Sequence, residues 1–192
     1  MLYKLETPLS VEKIKNIRVG DEILLSGDIY GARDAAHKRF AAAITDNKEL
    51  PINLNNSVIF YVGPSPTPPG KKSGAAGPTT SARMDMFMEP LLKKGLRATI
   101  GKGDRSSQVK KLIKKYSSIY FITPGGISAL LASKIIEIKP IAYEDLGPEA
   151  VFKIKIKDFP LFAAYDLSGN DIFAEARPVS YTHLTLPTIY SV

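Results

Sequence analysis

Nine consecutive residues, Gly77-Pro78-Thr79-Thr80-Ser81-Ala82-Arg83-Met84-Asp85, gather three hydroxyls, a glycine and an arginine. They run directly into an apolar, helix-spaced pattern of Met84, Met86, Phe87, Leu91 and Leu92. The backbone N–H groups at a helix start lack partners and carry partial positive charge, so they attract anions. Hydroxyl donors beside them, and a guanidinium able to grip a carboxylate with two bonds, suit a small carboxylate or phosphate. An ordinary Ser/Thr cap next to a surface arginine is the plainer reading of the same residues.

The same design recurs along the chain. Gly27-Asp28-Ile29-Tyr30-Gly31-Ala32-Arg33-Asp34 leads into a second helical pattern, Gly101-Lys102-Gly103-Asp104-Arg105-Ser106-Ser107 into a third, and Pro124-Gly125-Gly126-Ile127-Ser128 into a fourth. Each sets glycine or a hydroxyl residue before a helix, and three supply a cation. In a layered sheet-and-helix domain such junctions can collect on one edge. A cleft there would hold Arg33, Arg83 and Lys102 around one dianion. Lys102, flanked by two glycines, has close backbone access to a ligand. Other roles stay open: Arg33 could pair with Asp34 or Glu22, Asp34 could cap a helix, His37 could be a half-buried polar residue, and Gly125-Gly126 could serve packing. Neither Gly-x-x-x-x-Gly-Lys-Ser/Thr nor Gly-x-Gly-x-x-Gly occurs, so nucleotide binding lacks its two best signals.

The elements that must position these residues are read from periodicity. Val11 to Ile17 is a short helix, Val19-Gly20-Asp21 a turn, and Glu22 to Tyr30 a strand bent at Gly27. Arg33 to Ile44 is a helix with Ala35, Ala36, Phe40, Ala41 and Ile44 on one stripe. Val58 to Val62 is a buried strand ended by Gly63-Pro64. Residues 63 to 78 hold five prolines and four glycines, too many for regular structure, and form a shaped functional loop. A helix at about 81–94, a strand at 96–100, a helix at 105–116, a strand at 119–122 and a helix at 127–135 follow. Strands near 138–143, 151–157 and 161–166 complete the pattern, with Ser168-Gly169-Asn170 as a turn in the last hairpin. The mixture predicts one α/β domain.

Composition narrows the function classes. At 192 residues, 44% hydrophobic and 23% charged, the chain has the length for one sizeable core. No run of about 18 apolar residues predicts a membrane span, and Met1 to Glu6 lacks the apolar core of a signal peptide, so a cytoplasmic protein is expected. There is no cysteine and there are only two histidines, His37 and His183, which predicts no disulfide and no metal site built by this chain. The net charge of +7 could suit nucleic acid, but no aromatic platform or recognition-helix motif accompanies it. The lysines 110, 111, 114 and 115 alternate with Val109, Leu112 and Ile113, as on a solvated helix face. A basic balance equally suits a protein that handles small anions or one that docks on an acidic partner, and no nucleic-acid partner is expected. Val179 to Val192 contain no charged residue and read like a translated sequencing adaptor. The natural domain is therefore expected to occupy 1–178, with 179–192 a non-native read-through tail and His183 without functional weight.

Six segments then carry a resemblance. Arg33-Asp34-Ala35-Ala36-His37-Lys38-Arg39, Tyr61-Val62-Gly63-Pro64, Pro69-Gly70, Gly77 to Asp85, Gly101-Lys102-Gly103 and Gly169-Asn170-Asp171-Ile172-Phe173 occur in that order. Together they resemble the C-terminal part, or β subunit, of class I iron–sulfur fumarate hydratases, with the L-tartrate dehydratase β subunit as sister family. The long Pro-Gly loop and the Gly-Asn-Asp-Ile-Phe ending resemble fumarase more. The resemblance implies a swivelling β/β/α domain and a hydro-lyase of the tricarboxylic acid cycle type. It also implies a [4Fe–4S] cluster held by a partner α subunit, in a heterodimer or α2β2 assembly. By motif it implies that Arg33, Arg83, Lys102 and Thr80 bind the dicarboxylate and that Thr79 stands at the reacting carbons. Thr79 would act there as proton-transfer group or as hydrogen-bond donor. Asp34, His37 and Ser81 would support them from behind. A small-dicarboxylate binding module without catalysis is the remaining alternative.

Overall fold

The two long strands of the chain, β2 (Glu22–Gly31) and β7 (Val151–Tyr165), run antiparallel, from Glu22 opposite Phe162 to Gly31 opposite Phe152. This computed structural model describes residues 1–65, 76–123 and 127–174. β1 (Leu2–Glu6) lies parallel to the first half of β2, and β6 (Ile135–Ala142) lies antiparallel to the first half of β7. From the end of β2 the parallel strands β3 (Val58–Phe60), β4 (Ala98–Gly101) and β5 (Ile119–Ile122) follow in order. β5 then pairs with the second half of β7. Because β7 also pairs with β2, the strands β2-β3-β4-β5-β7 close on themselves. β1-β2-β7-β6 forms a second sheet sharing the two long strands.

Alternation along the short parallel strands divides the core. Val58, Phe60 and Val62 pack inward with Ile100, Phe121, Ile154 and Phe159, between the sheets. Ile59 and Tyr61 point the other way, into a second cluster with Phe40, Met84, Met88, Leu91, Val109 and Ile113. Those residues come from α2 (Asp34–Thr45), α3 (Met88–Lys93), α4 (Ser107–Lys115) and the 3-10 segment Ser81–Phe87. The strands are buried on both faces, as strands covered by helices on one side and by sheet on the other must be. The result is a β/β/α layering, and the mixed α/β class expected from the sequence holds.

Most element expectations hold within a residue or two, and four differ. The first helix is shorter, α1 (Val11–Ile14). The helix expected at 81–94 is a 3-10 helix over Ser81–Phe87 followed by α3. Pro90 explains it: without an N–H it cannot bond the Met86 carbonyl, so α geometry does not run through. The helix before β6, α5 (Ser128–Ser133), ends early, and Ile135 is strand. The strands expected at 151–157 and 161–166 are one strand. Its irregularity at Asp158 (φ 48°) faces the Leu25/Gly27 register shift of β2, where Gly27 has φ +108°. The two interruptions coincide, so pairing resumes at Phe159, opposite Leu25, and continues through Pro160. The Ser168-Gly169-Asn170 turn follows the strand, organised by Asp166, which accepts the Ser168 and Asn170 N–H groups at 2.9 and 3.1 Å. Most of the Pro-Gly loop, Gly125-Gly126, the tail 179–192 and His183 lie outside the described residues. No helix among the described residues is long and apolar enough to cross a membrane.

Candidate active site

Because β2, β3 and β4 are parallel, their C-terminal ends open on one edge of the domain, where Arg33, Gly63 and Lys102 follow the last strand residues. Pro78 to Thr80 slot between two of these ends. Val62 bridges Pro78, Thr80 bridges Lys102, the Thr79 N–H donates to Tyr61 O at 2.7 Å, and the Ser81 N–H donates to Lys102 O at 3.0 Å. Thr80 is extended, Ser81 opens the 3-10 helix, and main-chain bonds on both sides fix the Thr-Thr-Ser run. No hydroxyl of the run caps the 3-10 helix. The plainer reading of these residues as an ordinary Ser/Thr cap is the one that does not hold: Thr80 at the cap position makes no side-chain cap bond, and the Thr80 and Ser81 backbones pair with the Lys102 loop.

The charged side chains converge above this backbone. The Arg83 guanidinium donates to Thr79 Oγ1 through Nη2 and lies 3.2 Å from Asp34 Oδ1 through Nε. The other Asp34 oxygen is 3.3 Å from Arg33 Nε, so one carboxylate joins both arginines. Arg33 Nη2 lies 3.3 Å from Glu149 Oε1, while Glu149 Oε2 accepts the Ala35 N–H at 2.9 Å. Arg33 thus arrives with its Nε and Nη2 already paired, to Asp34 as one of the sequence alternatives held, and not to Glu22. Gly63 makes room for this, since a Cβ there would fall 3.0 Å from Arg33 Nη1. These pairs are partly exposed, and such ion pairs contribute about 1 kcal/mol or less each. They set geometry more than stability.

A drier network lies beneath. Ser81 Oγ accepts the Lys102 N–H at 3.1 Å and stands 2.8 Å from the Tyr120 hydroxyl, which is also 2.8 Å from Gly103 O. Burial holds the Tyr120 phenol above its ordinary range, so it stays a neutral donor. Arg105, its side chain 0% exposed, pairs through Nε with Asp85 Oδ1 at 2.5 Å and sits over the rings of Tyr61 and Tyr120. Asp85 Oδ2 accepts the Ser106 N–H at 2.7 Å. Removing one partner of a buried pair of this kind typically costs about 3–5 kcal/mol, because the other charge is left buried and uncompensated. His37 is fully buried against Tyr61 and Phe40, with its Nδ1–H donating to Arg33 O at 2.9 Å. Burial pulls its pKa down to about 4, with Arg105 adding to the fall against the Arg33 carbonyl and Asp34. It is a neutral support under Arg33, more deeply buried than the half-buried residue the sequence suggested.

The structure therefore brings Arg33, Asp34, His37, Thr79, Thr80, Ser81, Arg83 and Lys102 to one edge. Thr79 is half-buried, and Thr80, Arg83 and Lys102 are exposed. The Lys102 ammonium makes no hydrogen bond or ion pair among the described residues. The fourth junction is described only from Ile127 onward. Chemically, the edge offers a hydroxyl that accepts an Arg83 N–H bond, a second guanidinium joined to Arg83 through Asp34, and Lys102 on the adjoining strand end. Among the described residues no three His, Cys, Asp or Glu groups could hold a metal ion.

Sequence reasoning missed Arg105, Asp85, Tyr120 and Glu149. The first two lie inside the motifs quoted for other residues, and a charged pair inside two glycine-rich junctions was the available signal. Glu149 had none, being 114 residues from the backbone group it caps. Lys110 is only partly exposed on that helix face: it lies 3.0 Å from Asp104 and pairs with Asp171, tying the Gly-Asn-Asp-Ile-Phe segment to the Lys102 loop.

Residues 3–176 match the family described as Fumarase C-terminus. The chain is 34% identical over 178 residues to the L(+)-tartrate dehydratase subunit beta of Escherichia coli (strain K12), covering 90% of this chain and 87% of that one. It is 39% identical over 159 residues to the anaerobic class I fumarate hydratase of the same strain, covering 82% of this chain. It is 37% identical over 166 residues to fumarate hydratase 2 of Leishmania major, covering 85% of this chain. The chain spans 29% of the length of each of these two fumarate hydratases. With its strand-edge cluster and a family match across nearly all of its described residues, the chain belongs to the fumarase C-terminus family.

Proposed function

We propose that this chain is the β-type part of a class I fumarate hydratase, working with a separate α subunit that carries a [4Fe–4S] cluster, and interconverting L-malate and fumarate. The observation that supports it most is the Arg83–Thr79 hydrogen bond with Asp34 joining Arg83 to Arg33. This chain has no residues suited to the cluster itself: it contains no cysteine and, among the described residues, no group of three possible ligands. The cluster on this reading is entirely the partner's.

The chain's own residues account for binding and proton transfer. Removing hydrogen from the carbon next to a carboxylate leaves charge that spreads onto that carboxylate. Cations placed there lower the barrier. Lys102, whose ammonium is unpaired among the described residues, and Arg33 bind the carboxylates, and Thr80 adds an exposed hydroxyl donor. Thr79 Oγ1 takes the carbon-bound proton in dehydration and returns it in hydration. A threonine hydroxyl is a poor base in water. Here the Arg83 guanidinium donates to its oxygen, which favours the alkoxide, and enclosure by the partner strengthens that bond further.

A second reading, the β subunit of L(+)-tartrate dehydratase forming oxaloacetate, is favoured by the match over 87% of such a subunit. Anaerobic co-expression with a cluster-bearing α chain, followed by absorbance at the fumarate band, separates the two. Malate turnover supports fumarase. Turnover of tartrate alone moves the assignment to the sister enzyme. Dicarboxylate binding with no turnover of either leaves a binding module.

A further inference from the structure

We propose that Glu149 is a positioning residue for Arg33, aiming its guanidinium into the dicarboxylate site. The inference rests on the reading above that Arg33 binds a carboxylate. Arg33 is the N-cap of α2, in extended backbone geometry, and no side chain of its own neighbourhood caps that helix. The acceptor comes from far along the chain. Glu149 Oε2 takes the Ala35 N–H at 2.9 Å while Oε1 lies 3.3 Å from Arg33 Nη2. One carboxylate thus holds the helix start and the arginine that projects from it.

The segment carrying Glu149 is itself anchored on the same helix. Arg39 of α2 pairs with Asp145 and lies 5.0 Å from the centre of the Tyr143 ring, and Phe40 packs 5.8 Å from that ring. A helix cap alone needs only a neutral oxygen, such as an amide supplies. The second oxygen, directed at a guanidinium, is what a cap does not require. With Asp34 on Nε and Glu149 on Nη2, the guanidinium plane is set. The ion pairs of Arg33 among the described residues run through Nε and Nη2, while Nη1 lies over the space that Gly63 leaves open. Pre-set orientation of this kind lowers the ordering cost of ligand binding.

Glu149→Gln tests this cleanly, because an amide oxygen still accepts the Ala35 N–H while the negative charge facing the Arg33 guanidinium is removed. In the assembled enzyme, KM for malate (or tartrate, if that is the substrate) rises by about tenfold, the worth of one charge-assisted bond, and kcat falls by no more than about twofold. In an Arg33→Ala background the same substitution leaves KM unchanged within about twofold, because the residue it acts through is gone. An unchanged KM in Glu149→Gln, or an undiminished effect in the Arg33→Ala background, overturns the proposal. If the wild-type pair turns over neither substrate, the functional reading fails, and the pairing is read on the chain alone. The Arg33 Nε–Hε resonance then shifts and broadens in Glu149→Gln if Glu149 holds the guanidinium, and an unmoved resonance overturns it.

Discussion

Burial and partners, not residue type, decide what each side chain at this edge can do. Thr79 and Thr80 are adjacent threonines, yet only Thr79 accepts a guanidinium N–H bond, while Thr80 is exposed. Arg83 and Arg105 are both paired to aspartates, but one is half exposed and free to meet a ligand while the other is sealed in the core. His37 shows the cost of such sealing. Its imidazole, ordinarily near 6.5, is held by burial to about 4. Between those values the unfolded chain takes up a proton that the folded chain refuses. Stability is therefore level above pH 6.5 and falls as pH drops toward 4, by up to about 3 kcal/mol at roughly 1.4 kcal/mol per unit. Denaturant unfolding of the wild type and of His37→Gln between pH 7 and 4 checks this. The wild type loses more stability on acidification, and parallel curves would show that the imidazole is not the cause.

Among the elements, the closest approach is between β4 and the 3-10 segment. A Cβ on Gly101 would collide with Ser81 Oγ and come within 2.9 Å of Tyr61 Cδ2. Gly101→Ala is thus expected to destabilise the domain by about 1–3 kcal/mol, the usual cost of overpacking, and to displace Ser81 from the Lys102 N–H. Urea unfolding measures the first effect, and an unaltered midpoint would show that the contact relaxes without cost. The glycine was legible as part of a junction, but its reason was not, since the clash is with a residue 20 positions away. The same limit explains the rest. The apolar stripe of α2 and the short run at Val58–Phe60 declared themselves by period and composition. The 3-10 geometry of Ser81–Phe87 depended on Pro90, a local signal that a 3.6-residue pattern hides. The fusion of β7 depended on Gly27 across the sheet, and the cap of α2 on Glu149, neither of which is visible in the neighbouring sequence. In the site, Arg33, Thr79, Arg83 and Lys102 were legible because glycine and hydroxyl residues surround them. Arg105, Tyr120 and Glu149 act through tertiary contacts and were not.

At the scale of the whole molecule, two shared strands join the sheets into one body, and the parallel ends leave the cationic edge on its surface. Thr79 is only half-buried there, and Arg83 and Lys102 are exposed, whereas proton transfer from carbon calls for a site closed to water. Closure, and the departure of the substrate hydroxyl, fall on this account to the partner. The chain alone is therefore expected to bind a dicarboxylate without turning it over, and the assembled pair to turn it over through Thr79. The most direct test is the malate dehydration rate of the chain alone, of the anaerobically assembled pair, and of the pair carrying Thr79→Val. The prediction is no turnover by the chain alone and turnover by the pair. In the Thr79→Val pair kcat falls by about a thousandfold, within the range for losing a proton-transfer group, with KM changed by less than about fivefold. A Thr79→Val pair that keeps kcat within tenfold of the wild type would contradict the account and move the proton to another group.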